Sequence, residues 1–396
     1  MPRFVSLLLL VVGLAACADE PASSPPPASS GLPLRDGEIP VPADSGASAP
    51  RFSTDADGRP LLSWTQPTRR GDALLVSRWT GQGWGVPDTA DVGTDRVVNP
   101  ADTPGVTALA DDRMLAHLLT AGPEPHTYDT QVRLWDGRRW SEPALLNTDG
   151  VAAEHGFMSV VPLADGGAGV AWLDGRTQAG RGGATMLRYA ELAPDGARRA
   201  ETELDARVCD CCPTAAAVTS AGLVVAYRDR SPDEIRDIAV VRLADGAWTA
   251  PVVPHPDGWR IEGCPVNGPA LAARGSRVAL AWFSAPDSAR VQLAISQDGG
   301  ATWGRAVRID DGMPLGRVST AVVADGRVAV TWLERVGEAA EVRLRVRDMA
   351  GTPPSRTIAT VPAGRAAGIP RVTALGDRAL VAWAEAGTLR TTLVSL

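Results

Sequence analysis

The phrase GVAW at residues 169–172 is one of seven short apolar runs that end on an aromatic ring, and their spacing decides the fold. The others close at Trp64 (PLLSW), His117 (RMLAH), Tyr227 (VVAY), Trp282 (ALAW), Trp332 (AVTW) and Trp383 (LVAW). Successive intervals are 53, 55, 55, 55, 50 and 51 residues, the length of one four-stranded propeller blade. Several phrases follow a turn pair, Asp57-Gly58, Asp165-Gly166, Asp325-Gly326 or Gly376-Asp377, as tight hairpins do. The body carries no helical period. The chain is therefore expected to be all-β, a seven-bladed β-propeller of four-stranded antiparallel blades, with six blades plus an accessory piece as the alternative. Residues 371–396 hold only three strands, and an open sheet edge invites association. The segment GEIPVPADS at 37–45 is expected to supply the missing outer strand of blade seven.

The first residues read differently. A basic start, MPRF, precedes VSLLLLVVGLAAC, an apolar run too short to span a bilayer and typical of a secretion signal. Its end, Leu14-Ala15-Ala16-Cys17, resembles the lipobox of bacterial lipoproteins. That resemblance implies a signal peptide over 1–16, a lipidated Cys17 carrying diacylglycerol and palmitate, and a membrane held through lipid. Ala18 is not the aspartate of inner-membrane retention, so the cell envelope, outer membrane favoured, is the expected location. The Pro/Ser-rich stretch PASSPPPASS marks 17–36 as a tether, leaving 37–396 as the propeller. The net charge of −7, with arginine as the only strong base, excludes a nucleic-acid partner.

At Ser296 the chain reads SQDGGATW. Ser296, Asp298, Gly300, Thr302 and Trp303 resemble the Asp-box of the sialidase-like, or BNR-repeat, propellers. Looser relatives stand at the same phase in WTGQGW, WDGRRW and ADGAW. The resemblance implies a structural hairpin on the face opposite the active site, with the aspartate accepting N–H bonds and the tryptophan packed between blades.

In such a ring, the residues before each inner strand and those after each repeat aromatic are expected to meet at one channel mouth. Three sets qualify. Cys209, Cys211 and Cys212 precede blade four and Cys264 precedes blade five, with His155 and Met158 at the entry of blade three and Met313 at that of blade six. Four cysteines outside the cytosol read as disulfides, as a soft-metal site of which copper is the foremost occupant, or as a redox pair. Arg51, Arg317 and Arg371 share one register at the starts of blades one, six and seven. They read either as solvated arginines or as guanidinium forks for a carboxylate, like the arginine triad of sialidases. Asp174, Asp229, Glu334 and Glu385 each stand two residues after a repeat aromatic and are expected to point into the mouth. A sialidase-type hydrolase would use a tyrosine nucleophile with a glutamate and an aspartic acid/base. Tyr128, in the excursion TAGPEPHTYDTQ, is the candidate nucleophile, with Asp174, Asp229 and Glu334 as acids and Glu385 beside the ligand arginines. The functional expectation is a binding or scaffold module for a metal, an anionic glycan or an envelope protein. An exo-glycosidase of sialidase type is the alternative.

Overall fold

A computed structural model of the chain describes Met1, Arg35 and residues 37–180, 182–348 and 351–396. The lipobox, Cys17 and nearly all of the tether lie outside the described residues. Seven antiparallel sheets follow one another along the chain, six of four strands and one, blade two, of five. Among the described residues the only helical element is a single turn, Arg365–Ala367. The seven repeat phrases form the second strands, for example Pro60–Thr68, Ala168–Asp174 and Val328–Val336. Neighbouring blades cover both faces of these strands, so they read as nearly unbroken apolar runs rather than alternating ones. Each repeat aromatic is at most 2 % exposed, and all but His117 pack in apolar clusters, as Trp332 does among residues of blades five and six.

The expected closure is present. Glu38–Ile39 pairs antiparallel with Thr388–Ser395 as the fourth strand of blade seven. Arg390 is buried against Glu38, while Thr391 and Thr392 donate hydroxyls to the carbonyls of Ile39 and Gly37 at 2.8 and 2.9 Å. The N- and C-terminal ends thus lock each other, and the ring has no exposed seam.

The SQDGGATW hairpin also behaves as expected. Asp298 accepts the Thr302 N–H at 2.8 Å and its hydroxyl at 2.6 Å, and Gly300 N–H donates to Ser296 Oγ at 2.8 Å. Those bonds, the Thr302 hydroxyl first, hold the Asp298 carboxyl far below the usual range. Trp303 packs in a cluster with Val224 and Ala226 of blade four. Gly299 lies against Thr219 and Ala221, at the exit of the blade-four inner strand Ala215–Thr219, so the hairpin faces away from the strand entries.

Candidate functional site

The inner strands enclose an axial channel of about 730 Å³, and Arg51, Arg317 and Arg371 all line it. The inner strands of blades one, three and six, Ser48–Thr54, His155–Pro162 and Pro314–Val322, are each interrupted near their entry. Register shifts fall between Ser48 and Arg51, Gly156 and Ser159, and Gly316 and Ser319. Within the three bulges Ala49, Phe157 and Arg317 adopt φ of 54°, 55° and 58°, rare for residues with a side chain. Bulges re-aim side chains; those of blades one and six sit at Arg51 and Arg317, that of blade three at Phe157, and the inner strand bearing Arg371 is regular.

Arg51 donates from one nitrogen to the Thr103 carbonyl and to His117 Nε2, both at 2.9 Å. Arg371 donates to the Pro50 carbonyl and to Thr103 Oγ1, both at 3.2 Å. Neither guanidinium has a carboxylate within 4 Å among the described residues. Burial lowers Arg51 to about 10 against the pull of Asp102, and burial together with Arg51 lowers Arg371 to about 9. Both remain cations at neutral pH, so the site holds desolvated positive charge that its own residues leave partly unbalanced. Asp102, also lining the channel, accepts the Phe157 N–H at 2.7 Å. Burial raises its carboxyl to about 7. His117 accepts from Arg51, and burial followed by Arg51 holds its imidazole well below the usual range, hence neutral. Two glycines make room for these groups. A Cβ on Gly105 would stand 2.6 Å from Arg51 Cδ, and one on Gly156 would stand 2.1 Å from Asp102 Oδ2. Asn267, whose Oδ1 accepts the Arg317 N–H at 2.7 Å, completes the polar ring.

Tyr128 begins the strand Tyr128–Trp135 of blade two and bridges Glu154 of blade three backbone to backbone. Burial, then Glu154, then Asp102 raise the Tyr128 phenol. Burial and the nearby Asp210 raise Glu154, opposed by His126. The Glu154 backbone therefore lies beside that of Tyr128, and neither residue lines the channel. The sequence concealed this proximity because Glu154 belongs to a different blade.

The four carboxylates expected in the mouth are elsewhere, and none of them lines the channel. On a strand, residues i and i+2 share a face, so an acid two places after an inter-blade tryptophan also points between blades. Asp174 accepts the Trp172 indole N–H at 2.8 Å and Glu334 that of Trp332 at 2.6 Å. Glu334 also takes the Asp311 and Met313 N–H groups. Glu385 pairs with Arg35 at 2.6 Å. Asp229 accepts the Arg230 N–H at 2.7 Å, and burial raises it to about 6. Their geometry is that of partners for buried donors.

The metal-ligand set divides as well. His155, fully buried, lies 3.2 Å from Asp149 and 3.6 Å from Asp174, and Arg176 reaches the same two acids. Met158 packs with Leu119 and Trp172 in the core between blades two and three. Met313 is exposed. Neither His155 nor Met158 joins the sulfurs. The cysteines do gather: Sγ of Cys209 lies 3.4 Å from that of Cys212 and 3.8 Å from that of Cys211. The Cys264 thiol reaches Asp210 at 3.8 Å. All four are unbridged thiols. They share the strand-entry face but not the channel; of the four, Cys264 lines a separate recess of about 410 Å³ together with Asp210 and Arg236, while Cys209 and Cys212 are buried behind it. Hydrogen bonds with Cys211 and Cys212, and one from Arg236 at 3.2 Å, hold Cys209 well below the ordinary thiol range, while burial pushes Cys212 up to about 12.

No protein-family model matches the chain, and no curated protein sequence matches it. Solved structures do. A polysaccharide lyase, an ulvan lyase bound to -[GlcA(1-4)Rha3S]-, aligns at 12 % identity and TM-score 0.58 over 90 % of this chain and 96 % of that one. A protein of unknown function from Dyadobacter fermentans aligns at 13 % identity and TM-score 0.52 over 92 % and 99 %. The NanB sialidase of Streptococcus pneumoniae aligns at 10 % identity and TM-score 0.45 over 92 % and 71 %. The lyase and the Dyadobacter protein carry the likeness, which is one of fold.

Proposed function

We propose that this chain is a lipid-anchored, extracytoplasmic propeller that binds an acidic saccharide at the channel mouth through Arg51 and Arg371, with Arg317 at the same rim. One observation carries the reading: two neighbouring half-buried guanidiniums, without an ion-pair partner among the described residues, face an open channel. Buried charge is costly unless paired, and a bound carboxylate or sulfate supplies the pairing through bidentate contacts. That a propeller of similar fold holds a uronic acid saccharide supports the choice of ligand class. Titration calorimetry with oligosaccharides bearing carboxylate or sulfate tests the reading. Binding is expected for the acidic forms and absent for carboxyl-reduced, desulfated ones, and indifference to ligand charge would refute it.

A second reading, hydrolysis of sialoside type, is favoured by one observation, the backbone bridge that sets Tyr128 next to Glu154. It expects turnover of a fluorogenic sialoside that Tyr128→Phe and Glu154→Gln abolish. Absence of turnover across acidic glycosides leaves the binding module. The anchor is tested separately: Cys17→Ala is expected to release the chain from the membrane fraction into the soluble one.

A further inference from the structure

The cysteine loop of blade four takes no part in the channel, yet it has the makings of a metal centre. Cys209, Cys211 and Cys212 hold their sulfurs within 4.8 Å of one another, with two separations of 3.4 and 3.8 Å. Sulfurs sharing one ion at bonds of about 2.3 Å stand roughly 4 Å apart, so a single cation fits among them with small side-chain shifts. The loop is fixed on both sides: the Cys209 N–H donates to the Arg228 carbonyl at 3.0 Å, and Val208 bridges Asp229. Cys209 and Cys212 are at most 1 % exposed. Arg236, itself nearly buried, directs a guanidinium nitrogen at Sγ of Cys209 from 3.2 Å. A buried cation at that distance offsets the negative charge that several thiolates around one ion leave behind. There is also a way in, since Asp210, Cys211 and Cys264 form a second group within 4.8 Å at the recess that opens to solvent.

We propose that Cys209, Cys211 and Cys212 bind one Cu(I) ion in an all-sulfur, three-coordinate site, with Cys264 and Asp210 as the ligands an entering ion meets first. Sulfur donors select soft cations. A loop of four residues presents its three sulfurs from one side, which suits three-coordination better than the closed tetrahedron of structural zinc. Binding releases the thiol protons to solvent, and the ion keeps its oxidation state.

The test uses the full chain, reduced and kept anaerobic, titrated with Cu(I) against a chromophoric Cu(I) chelator. One equivalent is expected to leave the chelator, and X-ray absorption at the copper edge to show three sulfur scatterers with no nitrogen or oxygen neighbour. Cys209→Ser and Cys212→Ser are expected to weaken retention at least about 100-fold, Cys264→Ser by about 10-fold or less. Arg51→Ala with Arg371→Ala should leave retention unchanged, which separates this site from the saccharide reading. The wild-type spectrum decides the matter even if a variant fails to fold. A copper shell containing nitrogen or oxygen, no copper withdrawn, preference for four-coordinate zinc, or a count of two thiols in protein isolated without reductant would each overturn the proposal.

Discussion

Blades three and six differ from blade two at one position, and the difference separates architecture from function. In blades three and six the repeat residue is a tryptophan whose indole N–H is satisfied by an acid two residues on, Asp174 or Glu334. In blade two the residue is His117, and the one two places on is Leu119, which packs in the core. A neutral imidazole replaces a donor-only indole, so His117 can accept the Arg51 guanidinium at 2.9 Å. Where the repeat is kept, the ring is closed and filled. Where it is broken, a cation is aimed at the channel.

That contrast can be broken at several strengths. Trp172→Ala is expected to cost about 3–5 kcal/mol by denaturant unfolding, because it opens a core cavity between blades two and three. His117→Ala should cost far less stability and instead weaken acidic saccharide binding. An equal loss of stability at both sites would erase the distinction. Glu38→Ala, which takes one carboxylate from buried Arg390 and leaves it Glu385 at 3.5 Å, is expected to cost about 1.5–3 kcal/mol by the same measurement. Arg371→Met should lower saccharide affinity about 10- to 100-fold, the worth of one or two charged hydrogen bonds, while holding or raising stability. A desolvated cation lacking a carboxylate partner is a stability cost retained for use.

The smaller effects concern Asp102 and Gly105. With its carboxyl raised to about 7, folded Asp102 keeps a proton that the unfolded chain has lost above about 4. Its stabilising contribution is therefore full below about 4 and lost as pH rises to about 7. Saccharide affinity should also fall as pH rises through 7, when Asp102 ionises beside Arg51. Asp102→Asn is expected to flatten both profiles, and a parallel pH dependence in that variant would exclude Asp102 as the cause. Gly105→Ala should shift Arg51 and weaken binding a few-fold, read by calorimetry, with little change in the unfolding midpoint.

The ring was legible because each blade repeats one local problem, hiding an aromatic between two sheets, and a local solution repeated along the chain leaves a period. The common register of Arg51 and Arg371, opposite Ser63 and Ala382, was legible for the same reason, whereas Arg317 falls in the bulge at the position of Ala49, and Ser319 holds the register expected for it. The acids were misplaced because the two-residue side-chain period sends them to the face of the tryptophan, between blades. Met158 does line the channel, but neither it nor His155 reaches the sulfurs, because proximity to a strand entry does not fix which way a side chain turns. Asp102, Glu154, Asn267 and Gly105 left no motif at all. Each acts on a residue of another blade, far away in the chain.

The amino-acid sequence by itself determined the number of blades and the Ser296–Trp303 hairpin, since these depend on turns and pairings between near neighbours, and it pointed to the closing strand because residues 371–396 leave blade seven one strand short. Tertiary structure decided which charged groups share a space. The ring's closure, with the bulges of blades one and three, brings Arg51, Asp102 and Arg371 to one axis, and burial there, a property of the assembled packing alone, gives those groups their altered charge behaviour.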